Sequence, residues 1–230
     1  MKVTKILLCV LITILLASNA MALDFLVEGR AYVPRMSEFH TNSPGTTVTA
    51  IHWLPTKDYA NNGQLGVGVS AGWEHWGINE GGQTVPISGG QMRVHAEGSN
   101  DFFPLGLHGF WKFTSKKPFN KADWIVSLGA EYILNDVGTE VPYDWRHDTN
   151  GSQLQGDFDV NIQDTWAIVL GVMYVKPWVE KEDLVTSLVL GAGYRRTIGR
   201  GTISVPDLGY EKWNDMNAFF FRAGLLFETR

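Results

Sequence analysis

The sequence predicts an all-β chain: an eight-stranded antiparallel up-and-down transmembrane β-barrel with short periplasmic turns and long extracellular loops. Three observations predict it. Eight runs of strand character follow one another through the 230 residues, with almost no helical periodicity. Short and long connectors alternate between those runs, as they do when one rim carries turns and the other carries loops. Two runs carry an aromatic at each end of their apolar face, eight residues apart. At roughly 3.3 Å per residue and a tilt near 40°, that spacing spans about 20 Å, close to the separation of interfacial girdles on an apolar band of about 25 Å.

The N-terminal stretch MKVTKILLCVLITILLASNAMA reads as a secretory signal. Lys2 and Lys5 precede an apolar run from Ile6 to Ala17, and Ala20-Met21-Ala22 puts small residues at the two positions a signal peptidase reads. A spanning helix needs about 20 apolar residues, more than this run supplies. The expectation is cleavage after Ala22 and a barrel over 23–230. Cys9, the single cysteine, leaves with the signal, so disulfides supply no stability in the oxidising compartment beyond. Loss of the two lysines takes the formal charge from −5 to −7, and nothing points to a nucleic-acid partner or a cofactor. No later segment is long and apolar enough for a spanning helix, so membrane residence has to be through strands.

The runs fall at 23–34, 46–54, 64–76, 104–114, 123–134, 162–176, 183–196 and 217–228. The first carries Glu28 and Arg30, and the second ends at the turn sequence PTKDYANNG. In the third, LGVGVSAGWEHW, one face carries Leu65, Val67, Val69, Ala71 and Trp73, and the other Gly66, Gly68, Ser70, Gly72 and Glu74. The fourth carries His108 and Lys112 and leads into the turn SKKPFNKA. The fifth, WIVSLGAEYIL, sets Trp124, Val126, Leu128, Ala130, Tyr132 and Leu134 against Ile125, Ser127, Gly129, Glu131 and Ile133. In the sixth, the strong face is Trp166, Ile168, Leu170, Val172 and Tyr174, before the turn PWVEKED. The seventh sets Leu184, Leu188, Leu190, Ala192 and Tyr194 against Ser187, Gly191, Gly193 and Arg195, and the eighth carries Arg222. The connectors after the first, third, fifth and seventh runs are the long ones, and they read as extracellular loops.

Strand side chains alternate between faces, so each run poses the same choice of which face is inside. A membrane barrel gives the apolar face to lipid and the polar one to the lumen. On that assignment Trp73, Trp124, Tyr132, Trp166, Tyr174 and Tyr194 are lipid-interface aromatics. The lumen receives Glu28, Arg30, Glu74, His108, Lys112, Glu131, Arg195 and Arg222 among glycines and serines, which leave room in a narrow interior. Such a mixed-sign set has to pair, because an unpaired buried charge costs several kcal/mol. The expectation is a plugged, ion-paired interior rather than an open pore.

The segments FFPLGLHGFWKF and WIVSLGAEYIL, within 102–134, and the final NAFFFRAGLLF resemble the fourth, fifth and last strands of small outer-membrane barrels of the OmpW and OmpA/OmpX type. There a proline opens a strand ending in an aromatic pair, and a Gly-Ala-containing strand follows a short turn. The last strand is similar to the assembly signal of such proteins, through Arg222, Gly224 and Phe227. The resemblance implies residence in the bacterial outer membrane, with outer-membrane lipid, lipopolysaccharide and the barrel-assembly machinery as partners. It also implies a non-enzymatic role, in structure, loop presentation or narrow-channel passage of small, apolar solutes.

Other readings have weaker footing. Lipid A-modifying enzymes also use eight-stranded barrels and need a His, a Ser and a carboxylate on one face near the outer rim. His95, Glu97 and Ser99 share a face if RVHAEGSN is extended, but their spacing is not the His-x-Ser-Asn of the deacylases. Asp136, Glu140, Asp144, Asp148, Asp157, Asp159 and Asp164 make the fifth connector acidic without the spacing of a calcium loop. His40 and His147 are single loop histidines lacking a partner at metal-ligand spacing. A soluble lipocalin-like barrel, the alternative fold, places Trp73, Trp124 and Trp166 in a core around a small apolar ligand.

Overall fold

The computed structural model describes residues 23–35, 42–54, 63–87, 90–114, 122–135, 139–147, 153–199, 201–205, 210–213 and 215–229. The signal sequence, His40, Asp136 and Asp148 lie outside them. In chain order the strands are β1 (Asp24–Pro34), β2 (Ser43–Trp53), β3 (Gly63–Ile87), β4 (Gly90–Thr114), β5 (Asp123–Asn135), β6 (Thr139–His147), β7 (Gln153–Ile162), β8 (Thr165–Glu180), β9 (Leu184–Thr197), β10 (Thr202–Val205), β11 (Tyr210–Trp213) and β12 (Ala218–Thr229). Eight of these, in the ring β1-β2-β3-β4-β5-β8-β9-β12, form a closed antiparallel barrel, and β12 returns to β1 to complete it.

Closure runs from Phe25↔Phe227 to Pro34↔Ala218, an unbroken register that leaves the barrel strands no free edge along this seam. Gly224 makes the seam possible, since a Cβ there would collide with Val27 O and lie 2.8 Å from Glu28 Cα. Gly224→Ala therefore has to push β1 and β12 apart. It is expected to cost about 1–3 kcal/mol, as overpacking does, read from the urea midpoint of the refolded barrel. An unchanged midpoint would show that the seam yields freely.

The structure corrects the sequence reading beyond the barrel rim. The connectors that read as loops contain strands. β3 and β4 run outward as one long hairpin up to 88–89, with a register shift between Glu80 and Gln83. The outer part of β4 pairs with β6, β6 with β7, β7 with β10 and β10 with β11, so a β-wall rises from one side of the barrel. Gly81 and Gly82 sit at a bulge within the hairpin. Outside the barrel neither lipid nor a tight core imposes a two-residue period, while the backbone groups still have to pair. The pairing survives there and the sequence signal does not.

Pro104 is a second correction. By sequence the fourth strand opens at it, yet it lies inside β4, paired with Ile133 of β5. Toward β3 the ladder lapses between Ala71↔Leu105 and Glu74↔Phe102 and resumes in the same register. Proline has no N–H to donate, so it interrupts a ladder without ending the strand when its other neighbour holds.

The interior is packed, not lined. At the end of the barrel that carries the short turns, Leu26, Ile51, Phe110, Ile125, Met173, Val175, Val189 and Leu226 form one buried apolar cluster. Toward the opposite end Tyr32, Trp76, Phe102, Ile133, Val169 and Phe220 belong to another. The sequence reading makes the inward face mainly polar and small, and the structure makes it less so. Eight strands enclose a space just wide enough for side chains to fill, so the inward face is built as a core, and its charges occupy a layer between two apolar ones.

Candidate functional site: an ion-paired layer across the barrel

Alternation along β1 directs Glu28, Arg30 and Tyr32 inward, and all three are buried. The same rule brings Ser70 and Glu74 inward from β3, His108 from β4, Ser127 and Glu131 from β5, Arg195 from β9 and Arg222 from β12, again all buried. Tight packing at inward glycines admits the larger groups. A Cβ on Gly129 would collide with His108 Nδ1, and one on Gly171 with Arg222 Nη2.

The six central charges form one chain of alternating sign. Arg222 Nη1 donates to Glu28 Oε2 (3.4 Å), and Glu28 Oε1 accepts from Arg30 Nε (2.6 Å). Arg30 Nη1 donates to Glu131 Oε1 (3.0 Å), and Glu131 Oε2 accepts from Arg195 Nη2 (2.7 Å). Arg195 then holds both oxygens of Glu74, Nη1 to Oε2 at 2.6 Å and Nη2 to Oε1 at 2.5 Å. Tyr32 OH and Trp76 Nε1 donate to the same carboxylate at 2.6 and 2.9 Å. At the other end Arg222 Nη2 reaches Ser127 Oγ (3.4 Å). Three glutamates and three arginines balance, so the layer has no net charge.

The chain is also a brace. In the barrel ring β1 lies opposite β5, and β3 lies opposite β9. Arg30 to Glu131 and Arg195 to Glu74 therefore each tie one wall to the wall facing it. The Arg195 guanidinium also lies over the Tyr32 ring (4.6 Å), and those of Arg30 and Arg222 lie over Phe220 (5.2 and 5.1 Å). These ring contacts join the charged layer to the apolar cluster above it.

Two members of the expected lumen set sit apart from this chain. His108 Nε2 and Ser70 Oγ share a hydrogen bond (2.8 Å), and the imidazole is 4.0 Å from Glu131. Lys112 lies near the mouth on the short-turn side, where it pairs with Asp123 (3.3 Å) and with Glu228 of the facing strand β12. Nearby, Trp53 Nε1 donates to Asp24 (2.6 Å). Sequence reasoning does not single out Tyr32, Ser127, Trp76, Asp24, Asp123 or Glu228 as site residues. Tyr32 was within reach, since it continues the Glu28, Arg30 alternation.

On the outer face Trp73, Trp124 and Trp166 are 38%, 48% and 50% exposed, so they do not line an inner cavity, as a lipocalin-like barrel requires. The bracketing aromatics meet as cross-strand pairs. Trp124 faces Tyr174 with ring centroids 5.3 Å apart, and Tyr132 faces Trp166 at 4.8 Å. Tyr194 pairs with Phe219 at 4.9 Å. Phe227 lies on the outer face, half-buried, opposite Phe25.

Among the described residues no group of three or more His, Cys, Asp or Glu side chains could hold a metal ion. The stretch 95–99 is extended, inside β4, with Ser99 exposed; the side chains of His95 and Glu97 lie outside the described ones. The backbone of Glu140, Asp144, Asp157 and Asp159 belongs to β6 and β7, and that of His147 ends β6, so none of these is a free loop position. Asp164 has a structural task, accepting from Asn135 N (2.9 Å) and Tyr132 OH (3.0 Å). Sequence reasoning missed a His75–Asp101 pair on the outer face (2.8 Å), where His75 stacks on Trp73.

Fold and site together define a class: a closed eight-stranded barrel, apolar outside, with an ion-paired packed interior. No protein-family model matches the chain, and no curated protein matches it. Among solved structures it is similar to a major outer membrane protein from Thermus thermophilus, at 13% identity and TM-score 0.40, covering 90% of this chain and 99% of that one. It is also similar to Neisserial surface protein A, at 11% identity and TM-score 0.35, covering 90% and 94%. The transport unit of the autotransporter AIDA-I from Escherichia coli follows at 9% identity and TM-score 0.33, covering 91% and 90%. The class rests on the chain's own closed sheet and the polarity of its two faces.

Proposed function

We propose that the chain is exported, cleaved after Ala22 and inserted in the bacterial outer membrane as a non-enzymatic barrel whose braced interior supports the β-wall above it for presentation at the cell surface. The observation that carries this reading is the Arg222-Glu28-Arg30-Glu131-Arg195-Glu74 chain, which fills the middle of the barrel and is neutral. Solute passage would require breaking ion pairs that tie facing walls together. The outward aromatics fit the two interfaces of a bilayer, and the band between them fits its hydrocarbon. Arg222, Gly224 and Phe227 are the residues offered to the assembly machinery, and the first two also serve the charged layer and the seam.

The test is electrical. In a planar bilayer the wild-type barrel is expected to give little or no steady current. Glu131→Ala, which removes the carboxylate between Arg30 and Arg195 and leaves only their shared contact with Tyr32 OH, is expected to raise it. A large, stable ohmic conductance in the wild type would make the protein an open channel and overturn the closed interior.

A further inference from the structure

The arginines of the charged layer are all paired, but two others on the outer surface form no ion pair among the described residues. Arg35 follows β1, and its backbone N–H donates to Asn217 O (2.8 Å), which extends the β1–β12 pairing by one row beyond Pro34↔Ala218. Across β12, Ala218 faces Arg195, so Arg196 falls in the row of Asn217. Arg195 points inward and Arg196 outward; both Arg35 and Arg196 are exposed, and neither guanidinium makes an ion pair among the described residues.

The row Arg35, Asn217, Arg196 lies two residues beyond the row Val33, Phe219, Tyr194, whose aromatic rings pack on each other on the outer face. Two strand spacings put the Cα atoms of Arg35 and Arg196 about 10 Å apart, a span that two long side chains close over a single anion. Asn217 sits between them. Its Oδ1 accepts from Thr197 N (2.8 Å), which commits the oxygen and leaves the amide NH2 group as a donor to the row. The nearby carboxylate of Asp215 is engaged, with Oδ1 accepting from Asn217 N (2.9 Å). Guanidinium forks are suited to phosphate oxygens, and they stand here just beyond an aromatic row, the height at which headgroups begin if the barrel spans a bilayer.

We propose that Arg35, Asn217 and Arg196 bind the phosphate group of an outer-leaflet lipid. This rests on the membrane reading above and names the lipid chemistry the barrel recognises there. The test uses the full mature chain refolded in phosphatidylcholine vesicles doped with either a bisphosphorylated lipid A or its dephosphorylated form, with lipid retention read by native mass spectrometry. The wild type is expected to retain the phosphorylated lipid preferentially. Arg35→Gln with Arg196→Gln is expected to lower that retention by about tenfold or more, as the loss of charge-assisted hydrogen bonds implies, while protease protection of the barrel stays unchanged. Arg35→Lys with Arg196→Lys is expected to keep part of the preference. Equal retention of the two lipids, or a double glutamine variant that matches wild type, would overturn the site. Displacement of the lipid by millimolar inorganic phosphate would make it a free-anion site instead. Failure of the wild type to insert at all would overturn the membrane reading, and protease protection distinguishes that outcome from the others.

Discussion

Arg195→Ala is expected to destabilise the barrel by about 3–5 kcal/mol, the cost of removing one member of a buried charge set. Arg195 donates to both oxygens of Glu74, to Glu131 and to Tyr32 OH, and it is fully buried. Its loss leaves Glu74, among the described residues, with the Tyr32 and Trp76 donors alone in a fully buried place. The charge that remains, more than the bond that is lost, sets the size of the effect. Replacing both partners, Arg195→Met with Glu74→Leu, is accordingly expected to cost less than the single change, because two glutamates and two arginines still balance, although Glu131 Oε2 and the Tyr32 and Trp76 donors each lose a partner. Equilibrium urea unfolding in lipid vesicles measures both. A single variant within about 1 kcal/mol of wild type would mean that the layer is hydrated and does not brace the barrel.

Leu128→Arg and Leu170→Arg are expected to cost about 2–4 kcal/mol each and to impair assembly, the penalty for a charge on the lipid face near the bilayer midplane. The two leucines face each other across β5 and β8, and each is more than half exposed. Each lies four residues from the Trp124–Tyr174 pair and four from the Tyr132–Trp166 pair, which puts them at the middle of the apolar band. Leu128→Ala keeps the face apolar and is expected to be mild, since lipid takes up the space a core would leave as a cavity. The two arginine changes are in contact, so their sum is not expected to be additive. Arginine variants that fold in detergent-free buffer as well as the wild type folds in vesicles would show that water, not lipid, covers this face.

The barrel strands were legible because a single physical constraint acts along their whole length. One face of β5 meets a crowded interior and the other does not, so Ile125, Ser127, Glu131 and Ile133 are buried while Trp124 and Leu128 are exposed, and the two-residue period is written into the sequence. The outer wall was not legible for the converse reason. Strands such as β6, TEVPYDWRH, and β7, QLQGDFDVNI, have no imposed face, and their acids, with the proline of β6 and the glycine of β7, resemble loop composition. Pro104 misled in another way: its missing N–H is a local property, but whether that ends a strand depends on the neighbour it pairs with.

By itself the sequence determined the strand-rich class, the alternation of short and long connections, and which residues share a face, because these follow from local backbone geometry and a period of two. It also determined that charges of both signs would face inward together. Only the tertiary structure decided how they pair. Register between strands and closure of β1 on β12 place Glu131 opposite Arg30, and Glu74 opposite Arg195, across the barrel. They also sort the inward face into a charged layer between two apolar clusters and leave Lys112 at the mouth with Asp123 and Glu228. Contacts across the interior depend on the relative stagger of strands far apart in the chain, and a one-residue slip would move every one of these groups to the other face.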